Sequence, residues 1–153
     1  MMKKISVIFT VIIYLVSCND NCIIPELDGN GGKQISGITN ADYAVVSFTI
    51  DPAAETYKFE ENDVEKIISL IKPKTWRKGR LTLELSPVEY IYFNQDDTRY
   101  VVGILDVENN EVMFKVYSET NGKWNSDSCY YKTDDVGYEE LMDSLKDMCI
   151  NEE

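Results

Sequence analysis

Apolar and polar residues follow one another in two distinct rhythms along this chain. Between residues 42 and 50 the period is two, with Val46, Phe48 and Ile50 on one side and Ser47 and Thr49 on the other, which predicts a strand. After Asp51-Pro52 and a loop containing Tyr57 and Phe59, the rhythm becomes helical. Val64, Ile67, Ile68 and Ile71 recur at i, i+3, i+4 and i+7 behind Asn62-Asp63-Val64-Glu65, an N-cap with a glutamate three residues on. Pro73 ends that run because it has no N–H to donate. Beyond it, Ser86-Pro87, Asn94-Gln95-Asp96-Asp97, Glu108-Asn109-Asn110 and Asn121-Gly122 divide stretches rich in aromatic and β-branched residues. These predict strands over 80–85, 89–93, 99–107, 111–117 and 123–131, joined by short turns into an antiparallel meander. Both parities of Val101-Val102-Gly103-Ile104-Leu105 are apolar, so this strand is central and covered on both sides. Gly103 within it marks a bulge or a close approach. Val136, Leu141, Met142, Leu145 and Met148 return to helical spacing after Thr133-Asp134-Asp135, whose carboxylates suit a helix N-terminus. The fold class is α+β: an antiparallel meander sheet of about five to six strands with two amphipathic helices packed on it.

The first eighteen residues follow neither rhythm. Lys3 and Lys4 precede an apolar run over residues 5–16, a charge-then-apolar order that marks an export signal. A run of twelve residues is shorter than the roughly 20 a helix needs to cross a bilayer, so it does not predict a lasting membrane span. Its last four residues, Leu15-Val16-Ser17-Cys18, resemble the lipobox of bacterial lipoproteins. That resemblance implies a signal peptide over 1–17 and acyl chains, palmitate among them, on Cys18. It places the mature protein in the cell envelope, on the outer side of the cytoplasmic membrane or in the outer membrane. Asn19, with Asp20 and Asn21 beside it, leaves the choice of membrane and leaflet open. An ordinary secretory leader would equally give an exported protein. Residues 18–41, which include Asp28-Gly29-Asn30-Gly31-Gly32, read as the lipidated cysteine and a flexible tether, and 42–153 as one α+β domain.

Length and charge narrow the chemistry. The chain has 153 residues, 44% of them apolar, which suits one small domain. With 27 Asp and Glu against 15 Lys and Arg the net charge is -12, which opposes binding to a phosphate backbone and excludes nucleic acid as the expected partner. The absence of His removes the Ser-His-Asp and Cys-His nucleophiles and every His-containing zinc site. No catalytic residue, metal or cofactor is predicted. If Cys18 is acylated, Cys22, Cys129 and Cys149 remain, enough for one disulfide and one spare thiol. Strand and helix rise place Cys129 and Cys149 too far apart to pair. Spacing does not fix the pairing; Cys22 with Cys149 is favoured, the tether pinned to the last helix, and the alternative is all three unpaired.

Three groups of residues are candidates for contact with a partner. Tyr90, Tyr92, Tyr100, Tyr117, Trp124 and Tyr130 recur at alternate positions, as residues lining one sheet face would. Flat rings with polar tips suit a glycan or a partner's apolar anchors, and cross-strand aromatic pairing accounts for them equally. Trp76-Arg77-Lys78-Gly79-Arg80 is the one compact basic cluster, fit to grip an anionic group through Arg77 and Arg80 with Trp76 stacked above, or to serve as a solvated linker. Glu84, Glu89, Asp106 and Glu111 could furnish the two carboxylates of a hydrolase, without any motif. The remaining acidic groups, Glu60-Glu61 with Asp63, Asp96-Asp97, and Asp134-Asp135 with Glu139-Glu140, read as solvated caps and turns. The expected function is therefore an exported, membrane-anchored, non-catalytic protein-binding module, an inhibitor or an envelope accessory. The alternatives are a glycan or small-ligand binder using the aromatic face, and a carboxylate-dependent hydrolase.

Overall fold

The computed structural model describes residues 30–48, 56–81, 85–87, 89–125 and 128–150. In chain order these form α1 (Asn30–Thr39), β1 (Tyr43–Ser47), β2 (Thr56–Glu60), α2 (Glu61–Ile71), β3 (Arg77–Lys78), β4 (Glu89–Gln95), β5 (Thr98–Val107), β6 (Glu111–Thr120), β7 (Lys123–Trp124), β8 (Cys129–Lys132) and α3 (Tyr138–Ile150). The strands make one antiparallel sheet in the order β2-β1-β4-β5-β6-β8-β3, with β7 paired to β6. The architecture is α+β. It holds eight strands and three helices among the described residues, where the hydrophobic pattern predicts five to six strands and two helices.

Strand alternation sorts the residues onto two faces. Ala44 and Val46 of β1, Ile91 and Phe93 of β4, Val102 and Ile104 of β5, and Val112, Phe114 and Val116 of β6 share one side. There they meet Ile38 of α1, Val64, Ile67 and Ile71 of α2, and Leu141, Met142, Leu145 and Cys149 of α3 in a single core. Burying each large side chain of this kind stabilises the fold by about 1.5–3 kcal/mol, so the interface of helices and sheet is where stability resides. β5 is the central strand, as its composition predicts, and Val101 and Leu105 are buried on the other side of it.

The differences from expectation each have a local cause. Residues 30–39, assigned to the tether, are helix α1; the rest of the tether, residues 18–29, lies outside the described residues. Glycine-rich sequence has low helix propensity, and α1 gains its stability from packing, with Ile38 fully buried. A β-carbon on Gly37 would collide with the Tyr100 ring, so this glycine lets helix and sheet come close. The expected loop around Tyr57 and Phe59 is edge strand β2, whose alternation buries Phe59 opposite Ala44. Helix α2 is preceded by an extended Glu60 with no side-chain cap, two residues earlier than the Asn62 cap predicts. Lys72, at φ 46°, ends the helix by donating its N–H to the Ile68 carbonyl. Helix α3 begins at Tyr138 because Asp135 N–H is taken by the Thr133 hydroxyl in a turn, while the Asn110 side chain accepts the Glu139 N–H from a neighbouring loop.

Two predicted strands are replaced. The run 123–131 is divided into β7 and β8, both on the same edge of β6: β7 opposite Glu119 and Thr120, β8 opposite Met113 to Val116. Asn125 occupies the gap, bonding Ser118 through backbone and side chain at 2.8 Å each. Of the run 80–85, Arg80, Leu81 and Leu85 lie outside any strand, and residues 82–84 lie outside the described residues. The reason is topological. Helix α2 carries the chain from one sheet edge, β2, to the opposite edge, β3. On the face that is helix-free among the described residues, Gly79 lies beside Met113, and Pro87, just before β4, is buried over Gly103, whose missing β-carbon makes the room. Tyr90 fixes that approach by donating its hydroxyl to the Pro87 carbonyl at 3.0 Å.

Candidate functional site

The basic cluster is the first candidate that the fold places. Trp76 is 1% exposed, stacked on Phe114 at 4.4 Å between ring centroids and on Tyr131 at 5.5 Å. Its Nε1 donates to the Ile71 carbonyl at 2.6 Å, which satisfies one of the last carbonyls of α2. The expected stacking residue is thus a core residue, drawn in because a short 3-10 turn after Pro73 points it under β6 and β8. Arg77 is held in an ion pair with Asp134, and Arg80 is exposed. The structure does not bring the three together as a gripping loop.

The aromatic residues fare differently. Tyr90 and Tyr92 of β4, Tyr117 of β6, Trp124 of β7 and Tyr130 of β8 all fall on the helix-free face. Tyr90 and Tyr92 stack at 6.1 Å, Tyr117 packs on Trp124 at 5.1 Å, and Lys115 lies over the Tyr130 ring at 5.6 Å. Trp124 is 58% exposed, against the fully buried Trp76. Tyr100 is the exception: it lies one residue out of phase, faces α1 and packs against the core. Burial, with smaller contributions from Tyr90 and Tyr92, pushes the Tyr117 phenol from its ordinary 10.0 up to about 12. Burial and then Tyr92 raise Tyr90 as well.

One end of this row opens into a polar basin of about 270 Å³ that the residue pattern does not reveal. It lies between the β4–β5 turn and the β6–β7 turn and is lined by Tyr43, Asn94, Asp96, Asp97, Thr98, Arg99, Glu119, Asn121 and Gly122. Asp96, Asn121 and Gly122 have φ of 49°, 51° and 75°, the left-handed geometry that tight hairpins require and that Asn, Asp and Gly supply most readily. The turns are tied together by Asn121 N–H to the Asp97 carbonyl at 3.2 Å and by the Thr98 and Thr120 hydroxyls at 3.2 Å. Asp42 fastens the first turn to β1, donating its N–H to the Asn94 carbonyl at 2.8 Å and accepting the Asp96 N–H at 3.2 Å. Within the basin Arg99 donates from Nε to Asn94 Oδ1 at 3.3 Å, lies 5.8 Å from the centre of the Tyr92 ring, and stands 3.8 Å from Glu119. The turns were legible as turns. That two of them, more than twenty residues apart, would face one another could not be read from local pattern.

A second polar hollow, about 340 Å³, lies at the other end of β5 and includes Asp106, Asn110, Tyr138 and Glu139. Tyr138 donates to Glu89 at 3.1 Å; burial first, then Glu89 and Asp106, raise its phenol to about 12. Of the carboxylates considered for hydrolysis, Glu89 is therefore engaged in bonding α3 to the sheet, and Glu84 lies outside the described residues. Among the described residues no group of His, Cys, Asp or Glu converges as a metal site. Cys129 is a free thiol and Cys149 is buried in the core; Cys18 and Cys22 lie outside the described residues. Among the described residues no helix is long and apolar enough to cross a membrane. No protein-family model matches the chain, and no solved structure matches it significantly.

Proposed function

We propose that the chain is an exported lipoprotein of the cell envelope, cut before Cys18 and anchored by acyl chains on that residue, and that its body is a non-catalytic binding module. Lipid chains contribute about 0.8 kcal/mol per buried CH2, so two or three of them hold the protein to the membrane without any basic patch. The observation that carries the binding role is the helix-free sheet face, where Trp124 stands exposed beside Tyr117 in a row with Tyr92 and Tyr90. Rings on rigid strands make contact area at small entropic cost. With Trp76 in the core and Arg77 tied to Asp134, a protein partner loses the loop first expected to meet it. The continuity of the aromatic row with a polar basin favours the glycan reading over the protein one.

The anchor is tested by growing the expressing bacterium on a clickable palmitate analogue. The full-length chain should be labelled and sediment with membranes, and Cys18→Ser should lose both properties. Label retained on the Cys18→Ser chain would refute the lipobox reading.

A further inference from the structure

We infer that the basin between the β4–β5 and β6–β7 turns is the subsite for one ring of a neutral saccharide, with Trp124 and Tyr117 carrying the adjoining part of the chain; this deepens the glycan reading of the same face. The hydrogen-bonding set is the first argument. Arg99 Nη1 and Glu119 Oε2 stand 3.8 Å apart, too far for a hydrogen bond, so this donor and this acceptor can both be met by one hydroxyl that bridges them. A sugar hydroxyl does both at once, accepting from Arg99 and donating to Glu119. Asn94 holds Arg99 in place, and the Tyr92 ring supports the guanidinium, so the donor side of the pair is set before any ligand arrives.

Charge is the second argument. Asp96, Asp97 and Glu119 outnumber Arg99 in the basin, and the chain as a whole carries -12, so uronate, sialate or phosphate groups are repelled. Polarity is the third. Protein hot spots are desolvated pockets for aromatic or aliphatic anchors, whereas this basin is walled mostly by amides, carboxylates, Arg99 and Thr98, with Tyr43 its one aromatic residue. The aromatic platform begins immediately beside it: Glu119 is the strand partner of Trp124, and Arg99 of Glu119. A saccharide chain can thus place one ring among the polar groups and stack the next on indole.

The test uses the full-length chain in detergent micelles on an array of neutral oligosaccharides, including gluco-, manno-, galacto- and N-acetylglucosaminyl series, beside uronic-acid and sialylated members. The expected result is binding to neutral members only, with Trp124 fluorescence shifted on binding. Arg99→Gln and Glu119→Gln should each lower affinity about tenfold or more, as lost charge-assisted hydrogen bonds do, with melting temperature little changed because the two side chains make no hydrogen bond to each other and glutamine keeps most of their volume. Binding confined to acidic glycans overturns the inference, and so does wild-type failure on every neutral member. If a neutral glycan binds with undiminished affinity to both basin variants but is lost in Trp124→Ala, the subsite is refuted while the glycan reading of the face stands. If the face captures a protein and no glycan, the saccharide reading falls with the subsite and only the binding role remains.

Discussion

The two faces of the sheet are built from the same strands and the same alternation, and they are finished differently. One is sealed by three helices, and its residues are mostly aliphatic side chains and Phe, with Tyr100 against α1 and Trp76 and Tyr131 toward the far edge. Among the described residues the other receives only the segment that ends at Pro87, which covers the middle of β5 and leaves the flanks to tyrosines, Trp124, Lys115, Arg99 and Glu119. The contrast between the two tryptophans condenses this. Both are large, flat and able to donate one hydrogen bond, yet Trp76 spends its indole N–H on the Ile71 carbonyl and vanishes into packing, while Trp124 offers its ring to solvent. Residue type sets what a side chain can do, and the face on which it falls decides which of those things it does.

The sharpest way to break this comparison is to truncate both tryptophans. Trp76→Ala should cost about 3–5 kcal/mol of unfolding free energy in a denaturant titration, since it opens a cavity between Phe114 and Tyr131 and orphans a carbonyl. Trp124→Ala should stay within about 0.5 kcal/mol of the parent. Equal costs for the two would mean that the faces are not divided into a structural and a presenting side.

A smaller effect comes with alkaline pH. Tyr117 on the open face has its phenol raised from 10.0 to about 12, chiefly by burial. A raised value in the folded state means that the unfolded chain gives up this proton first. The contribution to stability is therefore complete below pH 10 and is lost as pH climbs from 10 toward 12. In a phenolate absorbance titration Tyr117→Phe should remove amplitude from the late phase near pH 12, and the variant should show a shallower loss of stability over the same window. An unchanged late phase would mean that Tyr117 is as wet as its exposed neighbours. The smallest effect belongs to Arg77→Ala, whose ion pair joins a partly covered arginine to an exposed Asp134; such a pair is worth less than about 1 kcal/mol. A loss well above that would make the β3 edge a structural anchor in its own right.

What could be read in the sequence was whatever depends on neighbours along the chain. Val101 to Leu105 marked the central strand, the helical spacing of α2 and α3 was visible, and the parity of Tyr90, Tyr92, Tyr117 and Trp124 put them on one face. Tyr100 broke the rule because its strand, β5, is buried on both sides, so an aromatic there has no need to share the face of the others. Helix α1 was hidden by its glycines, which lower propensity but allow the close approach to Tyr100 that makes the helix worth forming. Trp76 next to Arg77 has the pattern of a surface motif, but Trp76 caps the 3-10 turn that precedes β3 and enters the core, whereas Arg77 begins the edge strand and pairs with the exposed Asp134. The basin rests on two turns meeting across the end of the sheet, a fact of register that no local window contains.

The path of the chain around the sheet also dictates an order of assembly. The segment from β2 through α2 to β3 reaches the far edge early, and its only strand partner there is β8, made after the whole meander. A chain delivered from its N-terminus must therefore hold Arg77 and Lys78 unpaired until Tyr131 and Lys132 emerge, and Trp76, which can meet Phe114 earlier, completes its stack with Tyr131 only then. Such long-range closure makes folding slow in comparison with local hairpins. The last strand acts as the latch: a chain shortened before Cys129 would keep β2 on β1 and α2 on the core, but would leave Arg77 and Lys78 without strand partners and Trp76 without Tyr131.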